Sequence, residues 1–311
     1  MLILVTGASG FIGSRVVKAL SDRGERVRAV SRGKRQMPPL VEVVSCDLQK
    51  PVAKEVCEGA DAVLHLAGEL RDPARMHAIN VDGTRHLLEA ARDVPVWIQL
   101  SSIGVYGADG AVTITESTRP TPRDAYERSK LEADELVCAH RSNAQYALLR
   151  PSIVYGAGMR STALQSLAAA VRRRRFVYFG KPGAVAPYVH VDDVVAALLD
   201  LLDRALGRTV GARPQGAYNL SNDVPLEALM EALARAVDAR PPALRVPLAL
   251  GRAATLPSLL TKRWPLTRER LGALTSRVRF PSRRLEQEFG WKPRVSHEHG
   301  LAELFASGSH G

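Results

Sequence analysis

The chain has 311 residues, of which 46% are hydrophobic and 24% charged, and it carries a formal net charge of +11. This composition is typical of a globular protein that forms one large domain or two. The sequence contains no run of about 18 uninterrupted apolar residues, and its N-terminal apolar run is too short for a signal peptide. We therefore expect a cytoplasmic protein that is neither inserted in a membrane nor exported.

The positive charge restricts the partners only loosely. Basic residues are scattered except for the run at 172–175, and no basic motif interleaved with aromatic residues accompanies it. We therefore expect no nucleic-acid partner and interpret the run as the solvated end of a helix, although the same charge attracts phosphorylated small molecules. The three cysteines, Cys46, Cys57 and Cys138, lack the spacing of metal ligands, which predicts free thiols without a metal or a disulfide.

The first element is a strand, a glycine-rich turn and a helix. Apolar residues 2–5 predict a buried strand, and residues 16–20 show the apolar spacing of a helix. Between them, Gly7 permits a tight turn, Gly10 lets the backbone approach a pyrophosphate, and Gly13 lets the helix pack close to the strand. The helix N-terminus offers unpaired N–H groups to phosphates, whereas the alternative is a plain turn without a ligand. The predicted dinucleotide contacts in this turn are Gly7, Ser9, Gly10, Phe11 and Ile12.

The second predicted strand, at 27–30, ends at a position that decides the choice of cofactor. A dinucleotide fold that selects NAD usually carries a carboxylate here against the ribose 2′-hydroxyl, whereas an arginine accommodates the 2′-phosphate of NADP. Ser31 occupies the position of the acid, and Arg32 follows it. We therefore predict a preference for NADP, with NAD as the second candidate. The alternative interpretation of Arg32 is a solvated loop residue.

Strands and helices alternate along the next segment. Residues 41–44 predict a third strand, a helix follows as far as Glu58, and residues 62–68 predict a fourth strand. This alternation predicts an α/β fold with a doubly wound parallel sheet, whose ligands bind beyond the carboxyl ends of the strands. We interpret His65 as a packed core residue. The positions expected to line the adenine and ribose pocket are Asp47, Leu48, Leu66, Ala67 and Gly68.

After a helix predicted at 80–93, a strand at 96–100 leads to the candidate catalytic residues. Ser102 follows this strand, and Tyr126 and Lys130 lie one turn apart on the same face of a later helix. A free phenol has a pKa of about 10, but a neighbouring ammonium such as Lys130 lowers it. Ser102 would then hydrogen-bond the substrate oxygen while Tyr126 exchanges a proton with it. On its own, however, a tyrosine–lysine pair at this spacing is common on helix surfaces.

In this order, the motifs resemble the extended branch of the short-chain dehydrogenase/reductase superfamily, the epimerase/dehydratase group. The resemblance covers nearly the whole chain. It rests on the motifs at 6–13, 47–48, 65–68, 80–84, 101–107, 149–156, 188–193, 218–220 and 289–293, together with Tyr126 and Lys130.

The resemblance implies a Rossmann fold with a smaller C-terminal substrate-binding lid. It implies that Asp47 reaches the adenine and that Pro151 and Ile153 border the nicotinamide. It also implies a homodimer, in which the helix after Asn80 pairs with the helix that carries the catalytic tyrosine. The catalytic residues that it implies are Ser102, Tyr126 and Lys130, and no metal is expected.

Two departures from the family pattern bear on the substrate. Gly104 stands where some epimerases have a second hydroxyl residue, which leaves Ser102 alone to polarise the substrate. In sugar-nucleotide members an arginine commonly precedes the Tyr-Val-His segment and clamps the diphosphate, but Ala186 and Pro187 occupy that position here. The last third of the chain nevertheless resembles epimerases and 4-ketoreductases of polysaccharide assembly. The cations left to contact a diphosphate are Arg160, Lys181 and the run at 172–175, each equally well explained as an exposed charge.

We expect residues 1–151 to form the dinucleotide-binding domain. Residues 152–311 form a mixed segment, mainly the substrate-binding lid, of which about 187–222 returns to the first domain. The predicted function is that of an NAD(P)-dependent enzyme acting on a secondary alcohol or ketone, namely a nucleotide-sugar 4-epimerase or 4-ketoreductase. The alternatives are an NADPH-dependent reductase of a non-sugar ketone, steroid-like or flavonoid-like, and a non-catalytic dinucleotide-binding protein.

Overall fold

The computed structural model describes residues 1–32, 37–38, 41–107, 112–141, 144–159, 162–256 and 266–306. Its strands are β1 (Leu2–Thr6), β2 (Arg26–Ser31), β3 (Val41–Ser45), β4 (Ala62–His65), β5 (Val96–Leu100), β6 (Gln145–Pro151), β7 (Ile153–Tyr155), β8 (Tyr178–Phe179), β9 (Val185–His190), β10 (Gly216–Leu220), β11 (Asn222–Pro225) and β12 (Arg245–Val246). Its helices are α1 (Gly13–Asp22), α2 (Pro73–Met76), α3 (Gly83–Ala90), α4 (Ala125–His140), α5 (Ala163–Arg172), α6 (Val191–Ala205), α7 (Leu226–Ala236), α8 (Leu248–Ala254), α9 (Arg268–Thr275), α10 (Arg283–Phe289) and α11 (His297–Ala306).

Seven parallel strands form the central sheet in the order β10-β6-β5-β4-β1-β2-β3. The chain runs outward from β1 to β3 and then returns to the other side of β1 as β4. This reversal makes the gap beyond the ends of β1 and β4 a topological switch point, where ligands of such sheets bind. The doubly wound α/β sheet that the sequence predicts is therefore confirmed.

Helices cover both faces of the sheet. Side chains of β1 alternate between the faces, since Ile3 joins one apolar core and Leu4 the other. On the first face, α1 and α6 pack together, with Leu20 and Leu198 in the same core. On the second face, α3 and α4 pack against the sheet. Because both faces are covered, the central strands read as nearly continuous apolar runs.

Two predicted helices differ from the structure. Between β3 and β4 there is only a short 3₁₀-helix (Lys54–Val56), not a helix as far as Glu58. Pro51 and Gly59, which has φ +71°, leave too little chain between them for a stable α-helix. The helix predicted to open at Asn80 begins earlier, at Pro73, because Asp72 accepts a hydrogen bond from the Ala74 N–H and caps it. Residues His77–Asp82 form a π-helical segment between α2 and α3.

The smaller unit lies at the carboxyl edge of the sheet. Strands β11, β9 and β7 form a three-stranded sheet, and α5, α7 and α11 enclose an apolar core against it. Strand β9 continues into α6 without a loop, so one chain segment joins the smaller unit to the main sheet. A second connection comes from α1, where the Arg15 guanidinium donates to the Ala157 carbonyl oxygen at 2.6 Å.

Several composition-based expectations can be checked in the described ranges. The three cysteines are free thiols, as predicted, and burial raises the pKa of Cys57 to about 11. The arginines at 172–175 are exposed at the end of α5, as predicted. Of the helices described, none has both the length and the apolar character needed to cross a bilayer.

Candidate active site

The glycine turn between β1 and α1 has the geometry of a pyrophosphate cradle. Gly7 has φ +65°, and a Cβ placed there would lie 2.7 Å from the Ala67 nitrogen. A Cβ on Gly13 would lie 2.1 Å from the Gly7 carbonyl oxygen, while the Gly10 N–H donates to that same oxygen at 2.8 Å. No side chain caps α1. The N–H groups of Ser14 and Arg15 donate to the carbonyl oxygens of Gly10 and Ile12, whereas the Ile12 and Gly13 N–H groups make none of the backbone hydrogen bonds described and are available for an anion. The residues present therefore fit a dinucleotide at this position.

A chain of hydrogen bonds supports the floor of this cradle. The Ala67 N–H donates to the Thr6 hydroxyl oxygen at 3.2 Å, and Thr6 lies 2.6 Å from Nδ1 of His65. Nε2 of His65 lies 3.0 Å from the Thr84 hydroxyl, which donates to the Asn80 carbonyl at 2.6 Å. Each group has a partner only if Nε2 carries the proton, so the imidazole is neutral. Burial, reinforced by the Lys130 charge, lowers the pKa of His65 to about 3.

His65 makes stability depend on pH, with a definite sign. The folded state keeps the ring neutral, whereas the unfolded chain binds a proton below about pH 6.5, so acid favours unfolding. As the pH falls between these two pKa values, we expect His65 to lower the free energy of unfolding by up to about 1.4 kcal/mol for each pH unit. Urea unfolding at about pH 7.5 and pH 5 measures this difference. His65→Gln should reduce it, whereas a reduction no larger than that of the exposed control His299→Gln would contradict the assignment.

The residues predicted to choose the cofactor lie together beyond β2 and β3. Ser31 ends β2, and the exposed Arg32 follows it. Hydrogen bonds from Gln49 lower the pKa of the Asp47 carboxyl, and the nearby charge of Arg32 lowers it further. Arg32 therefore lies close enough to Asp47 for its charge to act on the carboxylate. Leu48 is buried beside Gly83.

The structure brings the three candidate catalytic side chains to the carboxyl edge of the sheet. Ser102 follows β5, and its hydroxyl oxygen accepts the Gly104 N–H at 3.0 Å. Tyr126 is the second residue of α4, whose N-terminus is capped by Asp124. A hydrogen bond joins the side chains of Ser102 and Tyr126. Lys130, 7% exposed, donates from Nζ to the Leu100 carbonyl at 2.6 Å.

The protonation of the phenol differs from the expectation. Burial raises the pKa of Tyr126 above its usual value, although the hydrogen bond with Ser102 opposes this shift. Burial also lowers the pKa of Lys130, against the opposing charge of Asp134. The Lys130 ammonium is directed at the Leu100 carbonyl, and the lowered phenol pKa that the sequence suggested is not found. At neutral pH the Tyr126 phenol is therefore protonated.

The surroundings of these residues bear on the substrate. Pro151 is buried at the end of β6, whereas Ile153 is 45% exposed at the start of β7. A Cβ on Gly104 would lie 3.2 Å from Cγ of Glu127, so the Glu127 side chain occupies the space that a larger residue at 104 would need. Sequence reasoning missed Glu127. The available signal was its place directly after the candidate catalytic residue Tyr126.

Strand β9, which corresponds to the strand next to the diphosphate-binding arginine in the sugar-nucleotide enzymes, carries no lysine or arginine. Ala186 on β9 is 3% exposed and belongs to the apolar core of the smaller unit, while Pro187 follows it. Lys181 is exposed, and Arg160 lies outside the described residues. The Ala186 side chain therefore contributes packing, not charge.

One cluster of metal-type residues occurs in the described parts of the chain. His190, Asp192 and Glu303 place one ligand atom each within 4.8 Å of one another. Nδ1 of His190 accepts the Asp192 N–H at 3.3 Å, so this nitrogen caps α6 and does not offer its lone pair to a metal.

Comparisons with known proteins agree with this geometry. The chain is 27% identical over 335 residues to 4-hydroxy-2-methyl-3-oxo-4-farnesyl-3,4-dihydroquinoline-1-oxide ketoreductase of Stigmatella aurantiaca, with 100% of this chain and 98% of the relative covered. It is 30% identical over 267 residues to UDP-glucuronate 4-epimerase 1 of Arabidopsis thaliana, with 72% of this chain and 61% of the relative covered.

Solved structures and family models point the same way. The structure of MoeE5 in complex with UDP-glucuronic acid and NAD matches this chain with a TM-score of 0.74 and 26% identity, and the match covers 99% of each chain. A family model described as "NAD dependent epimerase/dehydratase family" matches residues 3–220, which is most of the chain. With its glycine cradle and its serine, tyrosine and lysine at the sheet edge, the chain belongs to the NAD-dependent epimerase/dehydratase family of enzymes.

Proposed function

We propose that this enzyme interconverts a secondary alcohol and a ketone, with Tyr126 exchanging the proton. The observation that carries the proposal is the placement of Ser102, Tyr126 and Lys130 at the carboxyl edge of the sheet, the same edge at which the glycine cradle follows β1. A nicotinamide dinucleotide bound in the cradle supplies or accepts the hydride. Ser102 polarises the substrate oxygen, and Lys130 fixes the end of β5 by donating to the Leu100 carbonyl, two residues before Ser102.

The raised pKa of Tyr126 favours the direction of ketone reduction. A protonated phenol beside Ser102 can donate to a ketone oxygen as that oxygen gains negative charge. Oxidation of an alcohol needs the phenolate, which burial disfavours. At neutral pH the protonated phenol is therefore ready for the reductive half of the interconversion, whereas the oxidative half first requires its deprotonation.

The first candidate substrate is a nucleotide sugar that reacts at its 4-position, by reduction or by epimerisation. The support comes from MoeE5, whose solved complex contains UDP-glucuronic acid, and from the likeness to UDP-glucuronate 4-epimerase 1. The net charge of +11 also suits a diphosphate ligand.

The second candidate is a non-sugar ketone, and a specific feature favours it. The apolar Ala186 and Pro187 occupy the strand position at which sugar-nucleotide enzymes of this resemblance carry an arginine, and Ile153 presents an exposed apolar side chain beside the proposed nicotinamide site. The ketoreductase of Stigmatella aurantiaca, named for a farnesylated oxo-quinoline, matches over the whole chain.

Turnover assays separate the two candidates. The purified protein is incubated with NADH or NADPH and with either UDP-4-keto sugars or a hydrophobic 3-oxoester, and the loss of absorbance at 340 nm is followed. UDP-glucose and UDP-glucuronic acid are tested for epimerisation in parallel. Activity on nucleotide sugars alone supports the first candidate, and activity on the oxoester alone supports the second. Binding of a dinucleotide with no turnover of either class would favour the non-catalytic alternative.

Arg32 is proposed to give a preference for NADP. Its guanidinium, close to Asp47, is placed to contact a 2′-phosphate, for which Ser31 leaves space. We expect Arg32→Ala to weaken NADPH binding by about 10-fold while changing NADH binding less than about 2-fold. Calorimetric titration measures both dissociation constants. The control is Arg26→Ala at the opposite end of β2, and tighter binding of NADH than NADPH by the unaltered protein would overturn the proposal.

Two further features remain proposals about assembly. We propose that the unit built on α5, α7 and α11 is the substrate-binding lid, and that the chain forms a homodimer through α3 and α4. Light scattering coupled to size-exclusion chromatography tests the dimer, since a mass close to twice 33.8 kDa is expected.

A further inference from the structure

A buried ion pair lies directly behind the proposed catalytic residues. The Nε and Nη2 atoms of Arg150, on β6, lie 3.0 and 2.9 Å from the same carboxylate oxygen of Asp134, on α4. The two residues are only 7% and 2% exposed. A buried ion pair is weak evidence for stability, because desolvation offsets much of its attraction. Its presence here therefore calls for a reason other than stability alone.

The contacts of the pair reach the elements that carry the proposed chemistry. Ser101, next to Ser102, donates from its hydroxyl to Asp134 at 2.8 Å. Arg150 donates to the hydroxyl of Tyr106 at 2.8 Å, and Tyr106 ends the 3₁₀-helix that Ser102 caps. The pair thus holds the Ser102 turn from both sides.

The same carboxylate lies one helical turn beyond Lys130. On α4, residues four apart share a face, so Tyr126, Lys130 and Asp134 form one row directed at the sheet. Lys130 itself holds the carbonyl of Leu100, two residues before Ser102. The position of the serine relative to the tyrosine therefore depends on contacts made by two successive charged residues of this row.

We propose that Asp134 and Arg150 are positioning residues for the reaction: their ion pair holds the Ser102 turn against α4 and sets the electric field at Tyr126 and Lys130. This inference rests on the proposed function of these two groups.

The signs of the electrostatic effects are definite. The Asp134 carboxylate acts against burial to raise the pKa of Lys130, and it adds to burial in raising the pKa of Tyr126. The other groups facing this row are the neutral His65 from β4, the Asp124 carboxylate before α4, the Ser102 hydroxyl and the Arg150 guanidinium from β6. Arg150 offsets the carboxylate charge. Removing Asp134 therefore lowers both pKa values, and removing Arg150 raises them.

The test is the pH profile of kcat/KM for ketone reduction, measured on the full-length protein. We expect Asp134→Asn to move the alkaline limb to lower pH by roughly one unit, and Arg150→Met to move it in the opposite direction. A purely structural ion pair would lower the melting temperature of both variants and leave the limb in place. The control is Asp200→Asn, which removes an ion pair to Arg204 within α6, far along the chain from these residues.

A milder variant keeps the inference testable if the charge variants do not fold. Ser101→Ala removes one hydrogen bond to Asp134 and leaves the ion pair intact. We expect its kcat to fall on the order of 10-fold with little change in KM, because the Ser102 turn loses its alignment. An unchanged kcat in Ser101→Ala would overturn the positioning role. If the pH profiles of Asp134→Asn and Arg150→Met have the same alkaline limb as the unaltered protein, the electrostatic role is overturned. Failure of the proposed function is distinct, since the unaltered protein would then show no turnover.

Discussion

Replacing Tyr126 with phenylalanine should lower kcat/KM by about 10²- to 10⁴-fold, the range that a positioned acid or base contributes. The change removes one hydroxyl, which interacts with Ser102, and keeps the part-buried ring in place. The glycine cradle and Arg32 are untouched, so the affinity for the dinucleotide should remain within about 2-fold. Steady-state kinetics and calorimetric titration measure the two quantities separately.

A matched control is available on the same face of the sheet. Tyr146 on β6 is half-buried, and its hydroxyl contacts only the Cys138 sulfur at 3.6 Å among the hydrogen bonds described. Tyr146→Phe should keep both activity and affinity. If Tyr126→Phe retains more than about a tenth of the activity, another group supplies the proton and the proposed mechanism is wrong. If neither protein turns over any ketone, a dinucleotide-binding protein without catalysis becomes the better account.

The second large effect is expected at Gly13, where an alanine should abolish dinucleotide binding. Its Cβ would lie 2.1 Å from the Gly7 carbonyl oxygen and 2.8 Å from the Gly7 carbonyl carbon. Both are backbone atoms of the cradle, so relief requires α1 to move away from the turn. We expect a loss of stability of about 1–3 kcal/mol and a dissociation constant raised at least about 100-fold.

The control for this substitution is expected to raise the stability, not to lower it. Gly272 lies within α9, and nothing would contact a Cβ placed there. Gly272→Ala should therefore raise the stability by about 0.5–1 kcal/mol, because alanine loses less conformational entropy in a helix. Thermal unfolding and dinucleotide titration of both variants provide the comparison. Normal dinucleotide affinity in Gly13→Ala would show that the cradle is not the binding site.

Periodicity predicted the strands well and the loops poorly. The fifth strand was predicted at 96–100, where β5 lies, because four of its five positions are buried and the first three of them are apolar. The predicted helix before Glu58 was wrong, since Pro51 and Gly59 limit the segment and Arg28 binds its backbone carbonyls instead. Such a side-chain contact, made across 28 residues to Val56, leaves no local signal in the sequence.

Some features of the candidate site could likewise be predicted from the sequence and others could not. Motif spacing predicted that Ser102, Tyr126 and Lys130 lie at one edge of the sheet, because the carboxyl ends of parallel strands meet there. It did not identify the pKa direction of Tyr126, which depends on burial by distant elements. Nor did it identify the Asp134–Arg150 pair, whose partners come from a helix and a strand that only the folded sheet brings together.

The direct passage from β9 into α6 has a thermodynamic consequence. One end of this segment belongs to the proposed lid and the other packs beside α1, the helix that follows the glycine cradle. Arg15 joins the same two halves through the Ala157 carbonyl. A ligand that orders one half therefore restrains the other, and the heat of binding one ligand should depend on whether the second is already present. By linkage the effect must be equal in both directions, so each ligand should tighten the other by the same factor.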